Sequence, residues 1–335
     1  MHHHHHHYQL KIEGQAPGTC GSDKSLLVSA LANGIGLPYE CASGGCGVCK
    51  FELLEGTVQS MWPDAPGLSS RDREKGNRHL ACQCIALSDL RIKVAVQDKY
   101  IPAIPISKME AEVVAVRALT HDLLSVKLRT DVPANFLPGQ FCLIEAEQLP
   151  GVVRAYSMAN SMNPDGFWEF YIKRVPTGRF SPWLFENRKV GARLFLTGPM
   201  GTSFFRPGTG RKSLCIGGGA GLSYAAAIAR ASIRETDKPV KLFYGSRTPR
   251  DAVRWIDIDI DEDKLEVVQA VTEDTDSLWQ GPIGFIHQVV DAALLETLPE
   301  YEIYLAGPPP MVDATVRMLL GKGVPRDQIH FDAFF

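Results

Sequence analysis

Three cysteines in one short loop carry the most specific chemistry in this chain. Cys41, Cys46 and Cys49 lie in ECASGGCGVC, a Cys-x4-Cys-x2-Cys run, and a fourth thiol follows at Cys82 or Cys84 in LACQC. This is the ligand spacing of a plant-type [2Fe–2S] centre, whose two tetrahedral irons each take two protein thiolates besides the bridging sulfides. Gly44, Gly45 and Gly47 let such a loop fold tightly, with backbone N–H groups free to point at sulfur. A zinc knot also takes four cysteines, but usually from two short hooks. Here three ligands share one loop and a single one returns about thirty residues later. Spacing alone leaves the choice between Cys82 and Cys84 open, and Cys20, Cys142 and Cys215 read as small buried hydrophobes.

A second phrase, Arg154-Ala155-Tyr156-Ser157, offers a cation, an aromatic face and a hydroxyl in four residues. A flavin site needs those three groups, for the pyrophosphate, the isoalloxazine and the region of its N5. Some twenty residues on, Lys173-Arg174-Val175-Pro176-Thr177-Gly178-Arg179-Phe180-Ser181 opens a helical pattern whose free N–H groups suit a diphosphate. Tyr171, Lys173, Gly178, Arg179, Phe180 and Ser181 are the candidate contacts there.

A third set gathers on a nucleotide. Ile216-Gly217-Gly218-Gly219-Ala220-Gly221-Leu222-Ser223 runs from a strand into a helix, where Gly218, Gly219, Gly221 and Ser223 let backbone approach a pyrophosphate. Tyr244-Gly245-Ser246-Arg247 and Ala306-Gly307-Pro308-Pro309-Pro310-Met311 fall at further strand ends, where open α/β sheets collect ligands. Ser246, Arg247, Gly307, Pro308 and Met311 are the candidates in those phrases. Arg247 and Arg250, with Asp251 close behind, would by charge alone lean towards a 2′-phosphorylated coenzyme.

Positioning these residues takes three modules. Residues 8–98 show short alternating runs and one helical pattern, Leu26 to Ala32, which is a small α+β module. Lys99 to Ser107 (KYIPAIPIS) reads as a semi-stiff connector. Residues 106–207 contain six strand-like runs between Pro and Gly turns, which predicts a closed antiparallel barrel. Residues 211–335 alternate strand and helix patterns, which predicts a parallel sheet with crossover helices. The whole chain has 335 residues, 45% of them hydrophobic, and 35 Lys and Arg against 38 Asp and Glu for a net charge of −3. No apolar run is long enough for a membrane span, and near-neutrality gives no support for a nucleic-acid partner. The first module holds nine basic and ten acidic residues, so local shape must guide partner recognition more than field. Met1 and His2 to His7 read as an affinity tag with no export signal behind it, so the expected location is cytoplasmic.

Taken together, the three phrases resemble the ferredoxin–NADP reductase superfamily, and their order resembles the reductase components of bacterial multicomponent aromatic-ring oxygenases. The resemblance covers residues 8 to 335 and implies a β-grasp ferredoxin domain followed by FAD-binding and NAD-binding domains. It assigns Cys82, the first Cys of Leu-Ala-Cys-Gln, as the fourth ligand. It implies that Arg154, Tyr156 and Ser157 hold FAD, that the helix start binds its phosphates, and that Phe334, with Phe335 as alternative, shields the ring. It implies NADH as the electron donor and a soluble, Rieske-type ferredoxin as acceptor, leading to a terminal oxygenase. Hydride should pass from nicotinamide C4 to flavin N5, with Tyr156 and Phe334 on opposite faces of the ring, and single electrons should follow to the cluster. No general base is required, so His79, His121, His287 and His330 are expected at the surface or in packing. The chain departs from the family twice: Ala306 stands where a Cys usually opens the Gly-Pro-Pro phrase, and Tyr224 where a Pro usually follows the glycine loop. Alternatives are direct delivery to a di-iron hydroxylase, or a flavin reductase whose Cys-rich module is a structural metal docking domain.

Overall fold

The computed structural model describes residues 6–260 and 262–334, which divide into two compact units, one up to Lys108 and one spanning Met109–Phe334. Phe335 and the start of the tag lie outside the described residues. Among the described residues no helix is long and apolar enough to cross a membrane.

The first unit is a five-stranded sheet with one helix packed on it. Its elements run β1 (His7–Ile12), β2 (Gly18–Gly21), α1 (Leu26–Ala32), β3 (Lys50–Glu55), β4 (Val58–Ser60), α2 (Ser70–Lys75), β5 (Arg78–Leu80), β6 (Cys84–Ala86) and β7 (Leu90–Lys93). The order is β2-β1-β7-β3-β5, with β1 and β7 parallel and a separate β4-β6 ladder. Helix α1 starts where the Ser25 hydroxyl accepts from Val28 N, and its residues Leu26 to Leu31 are all buried. That burial keeps so short a helix in place.

In the second unit β8 (Ser107–Thr120), β9 (Leu123–Arg129), β10 (Phe141–Glu145), β11 (Val153–Ser157), β12 (Phe167–Lys173), α3 (Phe180–Glu186) and β13 (Arg193–Met200) come first. The strand order is β11-β10-β13-β8-β9-β12, and a bridge between Met158 and Phe170 joins the two ends, closing the expected barrel. Val126, Leu128, Ile144, Phe170 and Leu196 fill its interior.

There follow β14 (Lys212–Gly218), α4 (Leu222–Thr236), β15 (Val240–Ser246), β16 (Leu265–Val271), α5 (Ile286–Leu294), β17 (Tyr301–Gly307), α6 (Pro309–Gly321) and β18 (Ile329–Ala333). The sheet is parallel throughout, in the order β16-β15-β14-β17-β18. Helix α4 lies in one core layer and α5 and α6 contribute to the other. Strand order reverses between β14 and β17, the kind of switch point that leaves a crevice at the strand ends. The α4 layer also includes Leu119, Leu123, Ala159, Tyr171 and Phe205 from the barrel, so barrel and parallel sheet share one core.

Candidate functional site

The thiol loop runs from α1 into β3. Ser43 N and Cys46 N donate to Cys41 Sγ at 3.4 Å, Val48 N donates to Cys46 Sγ at 3.4 Å, and Cys82 N donates to Cys49 Sγ at 3.5 Å. The four thiols associate in pairs. Cys41 is brought down to about 5, chiefly by its hydrogen bond with Cys46 and against the opposing effect of burial, with help from the Ser43 and Cys46 N–H groups. Cys49 is lowered, first by its bond with Cys82. Their partners Cys46 and Cys82 are pushed up, as expected where one sulfur of a pair carries the charge.

Two features make the loop a cradle. Gly44 has φ +92°, and a Cβ there would sit 2.8 Å from the Trp62 ring, while Gly67 N ties back to Gly44 O at 2.9 Å. Gln83 Nε2 donates to Cys82 Sγ at 3.6 Å. Donors converging on four soft sulfurs are the environment an iron–sulfur centre needs. Cys84 stands apart on β6 opposite Ser60, where burial pushes its thiol up to about 12. Of the two thiols that spacing left open, Cys82 is the one hydrogen-bonded to Cys49. Trp62 and Gln83 were not singled out in the sequence, although Gln83 lay inside the LACQC phrase, because only its thiols were read as donors.

The flavin phrase occupies β11. Ser157 is 1% exposed and its Oγ has no hydrogen-bond partner, an orphaned buried hydroxyl that a bound acceptor would satisfy. The Tyr156 ring lies 5.9 Å from that of Phe180, at the start of α3. Burial lowers the Arg154 guanidinium, and Arg179 nearby lowers it further against the opposing pull of Tyr156. Two cations held close together suit a diphosphate. Arg179 caps α3 without a side-chain hydrogen bond to it, so the first turn keeps its own donors. Val175 N donates to Ser181 Oγ at 2.8 Å and Gly178 N to Val175 O at 2.8 Å, which closes the turn before the helix. Tyr171, on β12, is 1% exposed, lies in the layer shared with α4 and hydrogen-bonds Arg230, so it also packs the seam between barrel and parallel sheet.

The coenzyme phrases meet at the switch point. A Cβ on Gly218 or on Gly307 would lie 2.4 Å from Met311 Sδ, and one on Gly221 would lie 2.2 Å from Ala306 O. The α4 entry can approach the β17 backbone this closely only as glycine, while Gly218 and Gly307 leave the space that the Met311 side chain occupies. Ser223 Oγ donates to Ala220 O at 3.0 Å, bracing the turn. Ser246 Oγ is buried without a partner at the end of β15, a second orphaned hydroxyl in this unit, and Arg247 faces Glu273 at 3.6 Å. Phe334 N donates to Gly307 O at 3.1 Å, which seats the C-terminal aromatic beside the Gly-Pro-Pro turn.

The flavin and coenzyme sets are adjacent, since a Cβ on Gly219 would lie 3.6 Å from Lys173 Cδ and 3.8 Å from its Nζ. Adjacency is held by contacts the sequence did not announce. Tyr224 Oη donates to Ser203 O at 2.6 Å, and Arg230 donates to the carbonyls of Ala159 and Ile258. The Tyr at position 224 therefore clamps α4 to the barrel.

Comparison with known proteins agrees with this arrangement. A 2Fe-2S iron–sulfur cluster binding domain matches residues 11–87, an oxidoreductase FAD-binding domain matches 110–205, and an oxidoreductase NAD-binding domain matches 215–317. The ferredoxin–NAD(P)+ reductase CarAd of Metapseudomonas resinovorans is 94% identical over 328 residues, covering 98% of this chain and 100% of that protein. The ferredoxin–NAD+ reductase component of the alkene monooxygenase system of Xanthobacter autotrophicus is 36% identical over 94% of this chain and 97% of its own. The solved structure of the ferredoxin reductase in carbazole 1,9a-dioxygenase superposes with a TM-score of 0.97 at 98% identity, over 100% of both chains. The chain belongs to the ferredoxin–NAD(P)+ reductases that join an iron–sulfur domain, an FAD-binding domain and an NAD-binding domain in one polypeptide.

Proposed function

We propose that this reductase takes electrons from NADH and delivers them singly to a Rieske-type ferredoxin that serves a terminal aromatic-ring dioxygenase in the cytoplasm. The observation that carries the reading is convergence. The flavin and coenzyme residues meet where Lys173 reaches Gly219, and a separate compact unit supplies four thiols ringed by N–H donors. FAD, when bound, accepts a two-electron hydride and releases electrons one at a time, which is the conversion a one-electron iron–sulfur acceptor requires.

The chain's own residues bind and orient. Arg154 and Arg179 supply positive charge for the diphosphate, and Ser157 offers its unpaired hydroxyl to the ring edge. Tyr156 would lie against one face of a bound ring and Phe334 against the other. Gly218, Gly219 and Gly221 bring backbone close to the coenzyme pyrophosphate, with Ser246 turned to the ribose. Gly307, Pro308 and Met311 bound the nicotinamide end, where a small Ala306 leaves alignment to packing. Hydride transfer between two bound cofactors needs proximity and no protein base. Cys41, Cys46, Cys49 and Cys82 would hold the cluster.

Anaerobic titration of the purified protein with NADH tests the scheme. Bleaching of the flavin bands together with the EPR signal of a reduced binuclear centre is expected, and bleaching without that signal would overturn it. Relatives named for a carbazole dioxygenase and for an alkene monooxygenase leave two classes of acceptor to compare. Reconstitution with a purified Rieske ferredoxin should restore oxygenase turnover. Equal turnover when the ferredoxin is omitted would favour direct delivery to a hydroxylase.

A further inference from the structure

Coenzyme choice rests on charges around the adenosine ribose, and the two arginines on this edge are both engaged. Arg247 faces Glu273 at 3.6 Å. Arg250 Nη2 lies 2.7 Å from His121 Nδ1, and His121 Nε2 lies 2.5 Å from Asp251 Oδ1. His121 belongs to the barrel, on the turn between β8 and β9, while Arg250 and Asp251 follow β15 of the parallel sheet. One tautomer satisfies both contacts: with its proton on Nε2, the imidazole donates to Asp251 and accepts from Arg250. Asp251 is fixed from its other oxygen, since Thr248 N donates to Oδ2 at 3.0 Å and Thr248 Oγ1 at 2.8 Å. Asp122 Oδ1 accepts from Thr120 Oγ1 at 3.0 Å and faces His121 Nε2 at 3.6 Å.

We propose that His121 is a specificity-determining positioning residue: it holds Arg250 against the barrel and away from the ribose edge, so that the 2′-phosphate of NADPH is disfavoured. The inference rests on the reading that the end of β15 takes the adenosine ribose. Its physical basis is the local balance of charge. Two guanidinium groups, Arg247 and Arg250, stand among three carboxylates, Asp122, Asp251 and Glu273, so a dianionic phosphate meets net negative charge unless an arginine is released to it. His121, Asp122 and Asp251 also offer ligand atoms within 4.8 Å of one another. The Arg250 cation against the second imidazole nitrogen makes this an ion-pair network in preference to a metal site.

The test uses the holoenzyme with ferricyanide as acceptor. It measures kcat/KM for NADH and NADPH, and the inhibition constant of 2′-AMP as a binding readout. His121→Ala should raise the NADPH to NADH ratio of kcat/KM by about three- to tenfold and tighten 2′-AMP by a similar factor. NADH turnover should stay within about twofold. His121→Gln, which keeps an acceptor and a donor, should return the ratio towards that of the wild type. In an Arg250→Gln background, His121→Ala should give no such gain, because the effect acts through Arg250. Normal NADH turnover with an unshifted ratio, or a parallel loss with both coenzymes, would overturn the assignment alone. Wild-type turnover with neither coenzyme would overturn the underlying reading as well.

Discussion

Ser157 illustrates how one side chain carries two opposite effects. Its hydroxyl is buried and unpaired in the protein itself, a cost of about 1–3 kcal/mol for a group cut off from water. A bound ring edge that accepts its proton would recover that cost. Ser157→Ala should therefore slow flavin reduction by NADH about tenfold, equivalent to one hydrogen bond of roughly 1.4 kcal/mol. It should leave the thermal midpoint of the flavin-free protein unchanged or slightly raised. Stopped-flow absorbance and calorimetry of the stripped protein read the two effects separately, and a lowered midpoint without FAD would make Ser157 a packing residue. Ser246 Oγ, at the end of β15, is likewise buried without a partner.

Among the elements, α4 is the one on which the geometry turns. Ten of its fifteen residues are buried, so it packs against both the parallel sheet and the barrel where a surface helix would face solvent on one side. Its first turn follows the glycine loop, and Tyr224 in that turn donates to Ser203 O, tying the loop's position to the barrel. Tyr224→Phe leaves Ser203 O without this donor inside the seam. A loss of about 1–2 kcal/mol is expected, read as a fall of a few degrees in the thermal midpoint. A larger relative loss in hydride-transfer rate than in FAD affinity should accompany it, because the loop and not the barrel would shift. The thiol loop, by contrast, is braced locally by Gly44, Gly67 and Gln83 within its own unit.

For the whole molecule, the division into two compact units predicts that the iron–sulfur half can fail without the flavin half. Cys82→Ala removes a thiol adjacent to Cys49, whereas Cys84→Ala removes one buried in β6. Metal analysis should find two irons per chain in the wild type and in Cys84→Ala, and a near-complete loss of iron in Cys82→Ala. FAD content and NADH-driven ferricyanide reduction should persist in Cys82→Ala while reduction of the partner ferredoxin falls to background. Loss of iron from Cys84→Ala instead would exchange the roles of the two thiols.

Much of this was legible in the sequence because cluster and pyrophosphate binding use contiguous loops. Cys-x4-Cys-x2-Cys, Arg-x-Tyr-Ser and the glycine run each place their groups within a few residues, so the cysteine spacing names its chemistry and the order of the three phrases names the rest through the family resemblance. The helical pattern of Leu26 to Ala32 likewise predicted α1, and the strand-like runs between Pro and Gly turns predicted the six barrel strands. Spacing left the fourth thiol open between Cys82 and Cys84 and the family resemblance chose Cys82, whereas the seam role of Tyr171, the Tyr224 clamp and the link from His121 to Arg250, 129 positions apart, were beyond the reach of either. These depend on where separate elements come to rest, and packing of side chains from distant segments, not local spacing, sets that position. Sequence thus determined which cofactors this chain can hold, and the tertiary structure decided which distant side chains brace the candidate residues, because packing between separate elements sets those contacts.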